Sequence, residues 1–169
     1  MKARIFLIGF MGSGKSTLGL KLASLIGYQF IDMDHFIEET AEMSVPEIFN
    51  EHGEEVFRKW EYDILHELCN KENLVIATGG GAPCHSQLMD FMNANGTTIY
   101  IYLPPEALTD RLIHSRTERP LIKGKSESEL LDFITTLLET REKFYRQAEF
   151  IVNGINLRSA ELAKILKET

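Results

Sequence analysis

Short apolar segments alternate with longer segments in which apolar residues recur every three or four positions along this chain of 169 residues. The first pattern predicts strands, and the second predicts amphipathic helices. Strands separated by helices are typical of a parallel sheet that helices cover on both faces. We therefore predict an α/β fold with a parallel sheet of about five strands, at residues 3–8, 28–31, 74–77, 98–103 and 150–152.

Hydrogen-bonding residues mark where two of the helices begin. Ser44 with Glu47, and Ser126 with Glu129, fit the capping box, in which the serine and the glutamate each satisfy a backbone amide of the other. Further helices are predicted after residue 15, between residues 33 and about 70, and from the proline pair at 104–105 to about residue 114.

The composition is that of one globular domain, with 44% hydrophobic and 25% charged residues and no repeat or linker, so we treat residues 1–169 as a single domain. The net charge of −7 argues against a general affinity for nucleic acid or acidic membranes. No apolar run is long enough to span a membrane. Cys69 and Cys84 form neither a metal-binding nor a disulfide motif, which favours the reducing cytoplasm. We expect a monomer.

A glycine-rich segment after the first predicted strand has the spacing of a phosphate-binding loop. Residues 9–17 read GFMGSGKST and match G-x-x-x-x-G-K-[ST]. The glycines allow successive amides to face one anion at the positive end of the next helix. In this pattern Lys15 contacts the outer phosphates and Ser16 is a ligand of Mg²⁺; the alternative is a plain glycine-rich turn. The residues expected around the phosphates are Gly12, Ser13, Gly14, Lys15, Ser16 and Thr17.

Two carboxylates, Asp32 and Asp34, follow the second predicted strand at the sheet edge where open α/β sheets bind ligands. If the strand continues through both residues, their side chains project to one side, into a crevice beside the phosphate loop. One carboxylate would then serve Mg²⁺ and the other a substrate hydroxyl. Alternatively, either aspartate is only the N-cap of a helix at residues 35–41, a position that aspartate favours.

The helix around residue 60 has a charged pair on its apolar face. Glu61 falls within the apolar stripe that includes Phe57, and a carboxylate that faces a core needs a partner. Arg58 is within reach, three residues earlier. We interpret the pair as an arginine that Glu61 holds and directs into a cleft; alternatively, Arg58 forms a solvated surface pair with Glu54 or Glu55.

Arg141 lies near the centre of the apolar stripe of the helix that follows residue 126. A guanidinium keeps its proton and must meet an anion, and no acid shares the stripe. Its partner is therefore either a carboxylate from elsewhere in the fold or a bound anionic substrate, and the sequence favours neither.

Two further segments have the composition of ligand-binding loops. Residues 78–81 end a predicted strand with three glycines, more than a plain turn requires, so that a ligand could approach the backbone closely. Residues 111–125 are rich in arginine and lysine around the helix-breaking pair Arg119-Pro120. This composition is typical of a mobile flap that closes over polyphosphate or, alternatively, of a solvated basic loop. The five histidines have no metal-ligand spacing.

Together these motifs resemble the shikimate kinase family, whose members are P-loop kinases similar to nucleoside monophosphate kinases. The resemblance implies a three-layer P-loop kinase fold with a helical substrate-binding segment at about residues 33–61 and a mobile lid at about residues 112–125. It spans nearly the whole chain and depends on the order and spacing of six motifs: GFMGSGKST, Asp32-Met33-Asp34, Phe57-Arg58-x-x-Glu61, Thr78-Gly79-Gly80-Gly81, Arg119-Pro120-Leu121 and Arg141-x-x-x-Tyr145.

The resemblance implies a role for each motif. Lys15 would bind the ATP phosphates, Ser16 and Asp32 would hold Mg²⁺, and Asp34 would contact the substrate hydroxyls. Arg119 would be the lid arginine that acts on the transferring group. The residues implied around the substrate carboxylate are Arg58, Arg141 and the backbone of Gly80 and Gly81, with Phe57 and Glu61 in support.

The family has an arginine that stacks on adenine seven residues before the lid arginine. This chain has Leu112 there, which leaves Arg111 and Arg116 as candidates for the adenine contact. The activity that the resemblance implies is ATP-dependent phosphorylation of the 3-hydroxyl of shikimate, on the pathway to chorismate and the aromatic amino acids. Shikimate and ATP would be the partners, without nucleic acid or membrane. The alternatives are another small-molecule kinase, for gluconate or a nucleoside monophosphate, and a nucleotide-dependent switch that binds a protein.

Overall fold

The computed structural model describes residues 3–115 and 120–168. Within them, five strands form one parallel sheet, as predicted, and each strand boundary agrees with the prediction to within one residue. The strands are β1 (Arg4–Ile8), β2 (Gln29–Asp32), β3 (Leu74–Ala77), β4 (Thr97–Tyr102) and β5 (Phe150–Asn153). They lie in the order β2-β3-β1-β4-β5, which places β1 at the centre.

Helices connect the strands and cover both faces of the sheet. Both predicted capping boxes are present, at Ser44 with Glu47 and at Ser126 with Glu129. The described residues form α1 (Lys15–Ile26), α2 (Met33–Ala41), α3 (Val45–Leu68), α4 (Leu88–Asn95), α5 (Pro105–Ile113), α6 (Glu127–Tyr145) and α7 (Ser159–Lys167), with short 3₁₀ helices at Ala82–Cys84 and Pro120–Ile122.

The sequence pattern did not predict α4 or α7 individually. Neither helix has a side-chain cap at its N-terminus, where Gln87 and Arg158 stand. Both helices are short, of 8 and 9 residues. Without a capping residue, a helix of two or three turns gives little signal in the sequence, because most of its stability comes from tertiary packing.

The sheet separates two hydrophobic cores, because successive side chains of a strand point to opposite faces. Ile5 and Leu7 of β1 pack with α1 and α7 in one core. Phe6 and Ile8 pack with helices α2 to α6 in the other core. The elements that bear the candidate site residues therefore come from both layers of helices.

The carboxyl ends of the strands form the edge at which most candidate residues lie. The phosphate-loop motif follows β1, the two aspartates lie at and after the end of β2, and the glycine triplet follows β3. In open α/β sheets this edge is where ligands bind. Helix α1 packs closely on the sheet, because a Cβ on Gly19 would stand 2.6 Å from the ring of Phe30.

A bend in α3 separates its first half from the half that bears Phe57, Arg58 and Glu61. Gly53 has φ 80° and ψ 171°, outside the helical region, and a Cβ there would have open space around it. The glycine therefore serves the backbone conformation at this position. No helix in the described ranges is both long enough and apolar enough to cross a membrane.

Candidate active site

The phosphate-loop motif has the predicted context between a strand and a helix. Gly12 and Gly14 have left-handed φ angles of 80° and 97°, which glycine adopts without steric strain. Gly14 is the N-cap of α1, and no side chain caps this helix. The loop therefore directs the N-terminal end of a 12-residue helix, with its partial positive charge, to the carboxyl edge of the sheet.

Lys15 is buried within this loop. Its Nζ donates hydrogen bonds to the carbonyl oxygens of Gly9 at 2.8 Å and Phe10 at 2.9 Å. The lysine ammonium is thus held at the centre of the loop by the backbone that surrounds it. Ser16 and Thr17, in the first turn of α1, are exposed at the same end of the helix.

Asp32 connects the phosphate loop to the second strand. Its Oδ2 accepts a hydrogen bond of 2.5 Å from the Ser16 hydroxyl, and its Oδ1 accepts one of 3.4 Å from the His35 amide. Asp32 is therefore both the N-cap of α2 and a neighbour of the phosphate loop. The N-cap interpretation is confirmed, and the contact with Ser16 places the same carboxylate beside the phosphate loop.

The expectation that the strand continues through Asp34 is wrong. Strand β2 ends at Asp32 and α2 begins at Met33, so that Asp34 lies in the first turn of the helix. Its carboxylate still reaches the same edge, where its Oδ1 lies against Gly79. Burial raises the pKa of Asp34, and the charges of Asp32 and Glu38 raise it further, whereas Lys15 and Arg58 oppose the shift.

Three consecutive glycines face the side chains that the sequence motifs selected. A Cβ on Gly79 would stand 2.7 Å from Asp34 Oδ1, and one on Gly81 would stand 2.7 Å from Arg58 Nη2. A Cβ on Gly80 would stand 3.3 Å from Arg141 Nη1. None of the three glycines has a left-handed φ. A side chain at these positions would therefore displace the charged groups, whereas the backbone conformation does not call for glycine.

Two carboxylates hold Arg58. Its Nη1 donates to Glu61 Oε2 at 2.6 Å, and its Nη2 donates to Glu54 Oε1 at 3.2 Å. The predicted pair with Glu61 is thus confirmed, and the alternative partner Glu54 also contacts the same guanidinium from its exposed side. Phe57 packs beside them, with its ring centroid 5.4 Å from Arg58 Cζ. The guanidinium is fixed in orientation against Gly81.

Glu61 is 1% exposed, and its second oxygen, Oε1, has no hydrogen-bond partner within the described residues. This oxygen lies 2.9 Å from the position that a Cβ on Gly79 would take. Burial raises the pKa of Glu61 to about 7, with a contribution from the nearby charge of Asp34, although Arg58 and Arg141 pull it down. Desolvation therefore outweighs the attraction of the arginine.

Arg141 also reaches the glycine triplet. Its Cζ lies 5.6 Å from the centroid of the Phe10 ring, and the Tyr145 hydroxyl one turn later donates a hydrogen bond of 2.5 Å to the Gly80 carbonyl. No carboxylate in the ranges 3–115 and 120–168 forms an ion pair with Arg141. Both partners that the sequence left open, a carboxylate from elsewhere in the fold and a bound anion, therefore stay open at this point.

Arg111 contacts the phosphate loop from α5. Its Nη1 donates to the Ser13 carbonyl at 3.2 Å, and its Nη2 donates to the Gly154 carbonyl at 3.1 Å. Leu112, its neighbour, is buried and would touch a Cβ on Gly12. The sequence suggested Arg111 only as an adenine contact and gave no sign of these hydrogen bonds, because the residues they join are far apart in the chain.

Phe10, Gly79 and Glu54 also belong to the site but were not selected as site residues from the sequence. Phe10 and Gly79 lie inside the phosphate-loop and glycine-triplet motifs, so their position in these motifs is the only signal that the sequence contains. Arg116 and Arg119 lie outside the described residues. Among the residues that the structure does describe, no group of three or more His, Cys, Asp or Glu side chains could hold a metal ion.

Comparison with known proteins identifies close relatives. A family model described as shikimate kinase matches residues 11–169. A shikimate kinase from Bacteroides thetaiotaomicron is 47% identical over 91% of this chain and 88% of its own. A crystal structure of shikimate kinase from that organism has a TM-score of 0.93 at 44% identity, covering 98% of this chain and 97% of its own. Shikimate kinase from Acinetobacter baumannii, solved in complex with shikimate, has a TM-score of 0.85 at 33% identity, covering 99% and 92%.

The buried position of Glu61 predicts a pH dependence of stability. Because its pKa rises from an ordinary 4.5 to about 7 on folding, the folded state binds a proton that the unfolded chain releases between these values. The wild-type protein should therefore lose stability relative to Glu61→Gln as the pH rises from about 5 to 7. Melting temperatures of both proteins without ligands, measured across this range, test the prediction.

Glu54→Gln is the matched control, because it removes the exposed partner of the same arginine. We expect its difference from the wild type to stay nearly constant over this range. If the wild type instead gains stability relative to Glu61→Gln as the pH rises, the attraction of Arg58 outweighs burial, and the pKa of Glu61 is lowered on folding rather than raised.

Proposed function

Because the chain belongs to the shikimate kinase family, we propose that it transfers the γ-phosphoryl group of ATP to the 3-hydroxyl of shikimate, on the pathway to chorismate and the aromatic amino acids. One observation carries this proposal. Two arginines and an aspartate meet at three adjacent glycines, on the same sheet edge as a phosphate loop. To phosphorylate a small acid with several hydroxyl groups, an enzyme needs cations for the carboxylate and an acceptor for the hydroxyl proton, both beside the phosphate loop.

The arginines form the acceptor end of the site. Arg58 and Arg141 lie against adjacent residues, Gly81 and Gly80, and guanidinium groups bind a carboxylate through paired N–H donors. Glu61 and Glu54 fix the orientation of Arg58, which lowers the entropy cost of ordering it when substrate binds. The bare backbone of the two glycines leaves room for the substrate carboxylate beside the arginines.

Asp34 is the residue that we assign to the acceptor hydroxyl. It accepts the hydroxyl proton while the substrate oxygen attacks the γ-phosphorus, and the bond from that phosphorus to the leaving oxygen of ADP breaks. Burial raises the pKa of Asp34, which makes it a stronger base when ionised. Lys15 places a cation within the phosphate loop, where negative charge is concentrated on the transferring group.

Ser16 and Asp32 are the residues that we assign to Mg²⁺. A hydroxyl and a carboxylate in direct contact, at 2.5 Å, supply two oxygen donors side by side. Such a pair fits Mg²⁺, which takes few protein ligands and completes its coordination with phosphate oxygens and water. When bound there, Mg²⁺ neutralises charge on the phosphate oxygens.

The remaining assignments follow from the family resemblance. The substrate-binding segment spans about residues 33–61, and the lid spans about residues 112–125. Within the lid, Arg119 acts on the transferring phosphoryl group. We also propose that the protein is a single-domain monomer in the cytoplasm and that it binds neither nucleic acid nor membranes.

An ADP-release assay with Mg-ATP and a panel of acceptors tests the proposed function. The panel contains shikimate, quinate, gluconate, AMP and no acceptor. We expect shikimate to stimulate ADP release well above every other condition. Stimulation by gluconate or AMP alone would overturn the substrate assignment, and tight ATP binding with no stimulation by any acceptor would favour a nucleotide-dependent switch.

Substitutions of the two aspartates should lower the activity in different ways. Asp34→Asn removes the proton acceptor and should lower kcat by about 10² to 10⁴-fold at every Mg²⁺ concentration. Asp32→Asn weakens a metal site and should recover part of its activity as Mg²⁺ is raised. Steady-state rates over a Mg²⁺ titration distinguish the variants. Equal losses that do not respond to metal would reject this division of roles.

Arg141→Lys tests the carboxylate clamp. Lysine keeps the charge but not the paired donors, so the KM for shikimate should rise roughly tenfold to a hundredfold, and the KM for ATP should hardly change. Arg146→Lys, at the C-cap of the same helix, is the control, because that guanidinium pairs with Glu142 at the surface. An unchanged shikimate KM together with a lower melting temperature would show that Arg141 has only a structural role.

A further inference from the structure

Arg111 of α5 contacts two backbone segments that are distant from each other in the sequence. Its Nη1 reaches the carbonyl oxygens of Ser13 at 3.2 Å and, more weakly, Gly12 at 3.5 Å. Its Nη2 reaches the Gly154 carbonyl at 3.1 Å. A planar guanidinium with several donors can make such contacts at once, whereas a single ammonium group cannot reproduce the fork.

These contacts lie on the carbonyl side of the phosphate loop. In a trans peptide the N–H and the C=O point in opposite directions, and the described residues contain no cis peptide. The oxygen of Ser13 shares its peptide unit with the amide of Gly14. By holding that oxygen, Arg111 directs the Gly14 amide away from itself, toward the N-terminal end of α1 where the motif binds an anion.

The peptide unit between Ser13 and Gly14 can rotate easily, because the residues beside it are glycines, and a hydrogen bond to its oxygen fixes its orientation. Gly12 and Gly14 flank Ser13, and both adopt left-handed φ angles that glycine can leave at little cost. Without the hydrogen bonds from Arg111, the loop would populate orientations in which its amides do not point to one site. Binding of an anion would then carry the entropy cost of ordering these amides.

The second segment that Arg111 contacts is fixed. The Gly154 amide donates a hydrogen bond of 2.7 Å to the Tyr102 carbonyl at the end of β4. A Cβ on Gly154 would stand 2.8 Å from the side chain of Ile101, so the backbone at Gly154 packs closely against strand β4. Arg111 thus connects the glycine-rich loop to a rigid part of the carboxyl edge.

We propose that Arg111 is a positioning residue of the phosphate site, which holds the peptide between Ser13 and Gly14 so that its amide faces the bound polyphosphate. The proposal rests on the proposed phosphate site but not on the acceptor. Its effect does not depend on a nucleotide base, which separates it from the adenine contact that the family resemblance assigns to Arg111 or Arg116.

Inorganic tripolyphosphate is the probe that separates the two roles, because it carries phosphates without a base. Calorimetry with Mg²⁺ gives its Kd and that of ATP for the wild type, Arg111→Met and Arg111→Lys. If Arg111 acts by orienting the phosphate loop, Arg111→Met should raise the Kd of tripolyphosphate and of ATP by a similar factor of about three to ten. In Arg111→Lys only part of this affinity should be restored. The KM for shikimate should stay unchanged.

Arg158→Met is the control, because Arg158 is an exposed arginine that pairs with Glu161 at the surface. If Arg111→Met lowers the affinity for ATP but leaves the affinity for tripolyphosphate unchanged, Arg111 contacts only the base, and the proposal is overturned. Unchanged affinity for both ligands overturns it as well. Tripolyphosphate binding to the wild type tests the phosphate site itself, so failure of that site is distinguished from failure of the role of Arg111.

If Arg111→Met does not fold, Arg111→Lys decides the question, because it keeps the charge and loses only the fork. The amide signals of Ser13 and Gly14 in nitrogen-15 spectra give a second measurement. They should move on substitution in the absence of any ligand, whereas an arginine that contacts only the base would leave them in place.

Discussion

The acceptor end of the site depends on one steric constraint, the absence of side chains at residues 79–81. Asp34, Arg141 and Arg58 come from three different helices, and each lies 2.7 to 3.3 Å from the position that a Cβ of one of these glycines would take. Backbone conformation does not explain the glycines, because none of them has a left-handed φ. The end of β3 is instead kept bare so that side chains from elsewhere can meet there.

Local electrostatics work against the overall charge of the protein. A chain with a net charge of −7 repels anions at long range, yet Lys15, Arg58 and Arg141 all lie at one edge of its sheet. Carboxyl groups lie at the same edge, and burial raises the pKa of two of them, Asp34 and Glu61. Burial therefore disfavours the charged form of both carboxyl groups, beside the arginines that an anionic substrate would meet.

The sequence predicted the features that depend on local spacing, and it failed where tertiary packing decides. Strand boundaries, both capping boxes and the pair of Arg58 with Glu61 follow from periodicity or from positions three residues apart. Asp34 reaches the expected edge by a route that the sequence did not reveal, because the chain turns into a helix one residue earlier. The contacts of Arg141 with Phe10, and of Arg111 with Ser13 and Gly154, join distant segments that no local pattern relates.

The division of the hydrophobic core by the sheet has a consequence for how the two substrates are coupled. Helix α1, which bears Lys15 and Ser16, packs with α7 on one face, whereas the helices that bear Asp34, Arg58 and Arg141 pack on the other. The phosphate loop itself spans both cores, because Phe10 is buried in the core that contains the acceptor helices. The relative position of phosphoryl donor and acceptor therefore depends on the packing of both helix layers against the sheet, and the hydrogen bond between Ser16 and Asp32 joins the two layers directly.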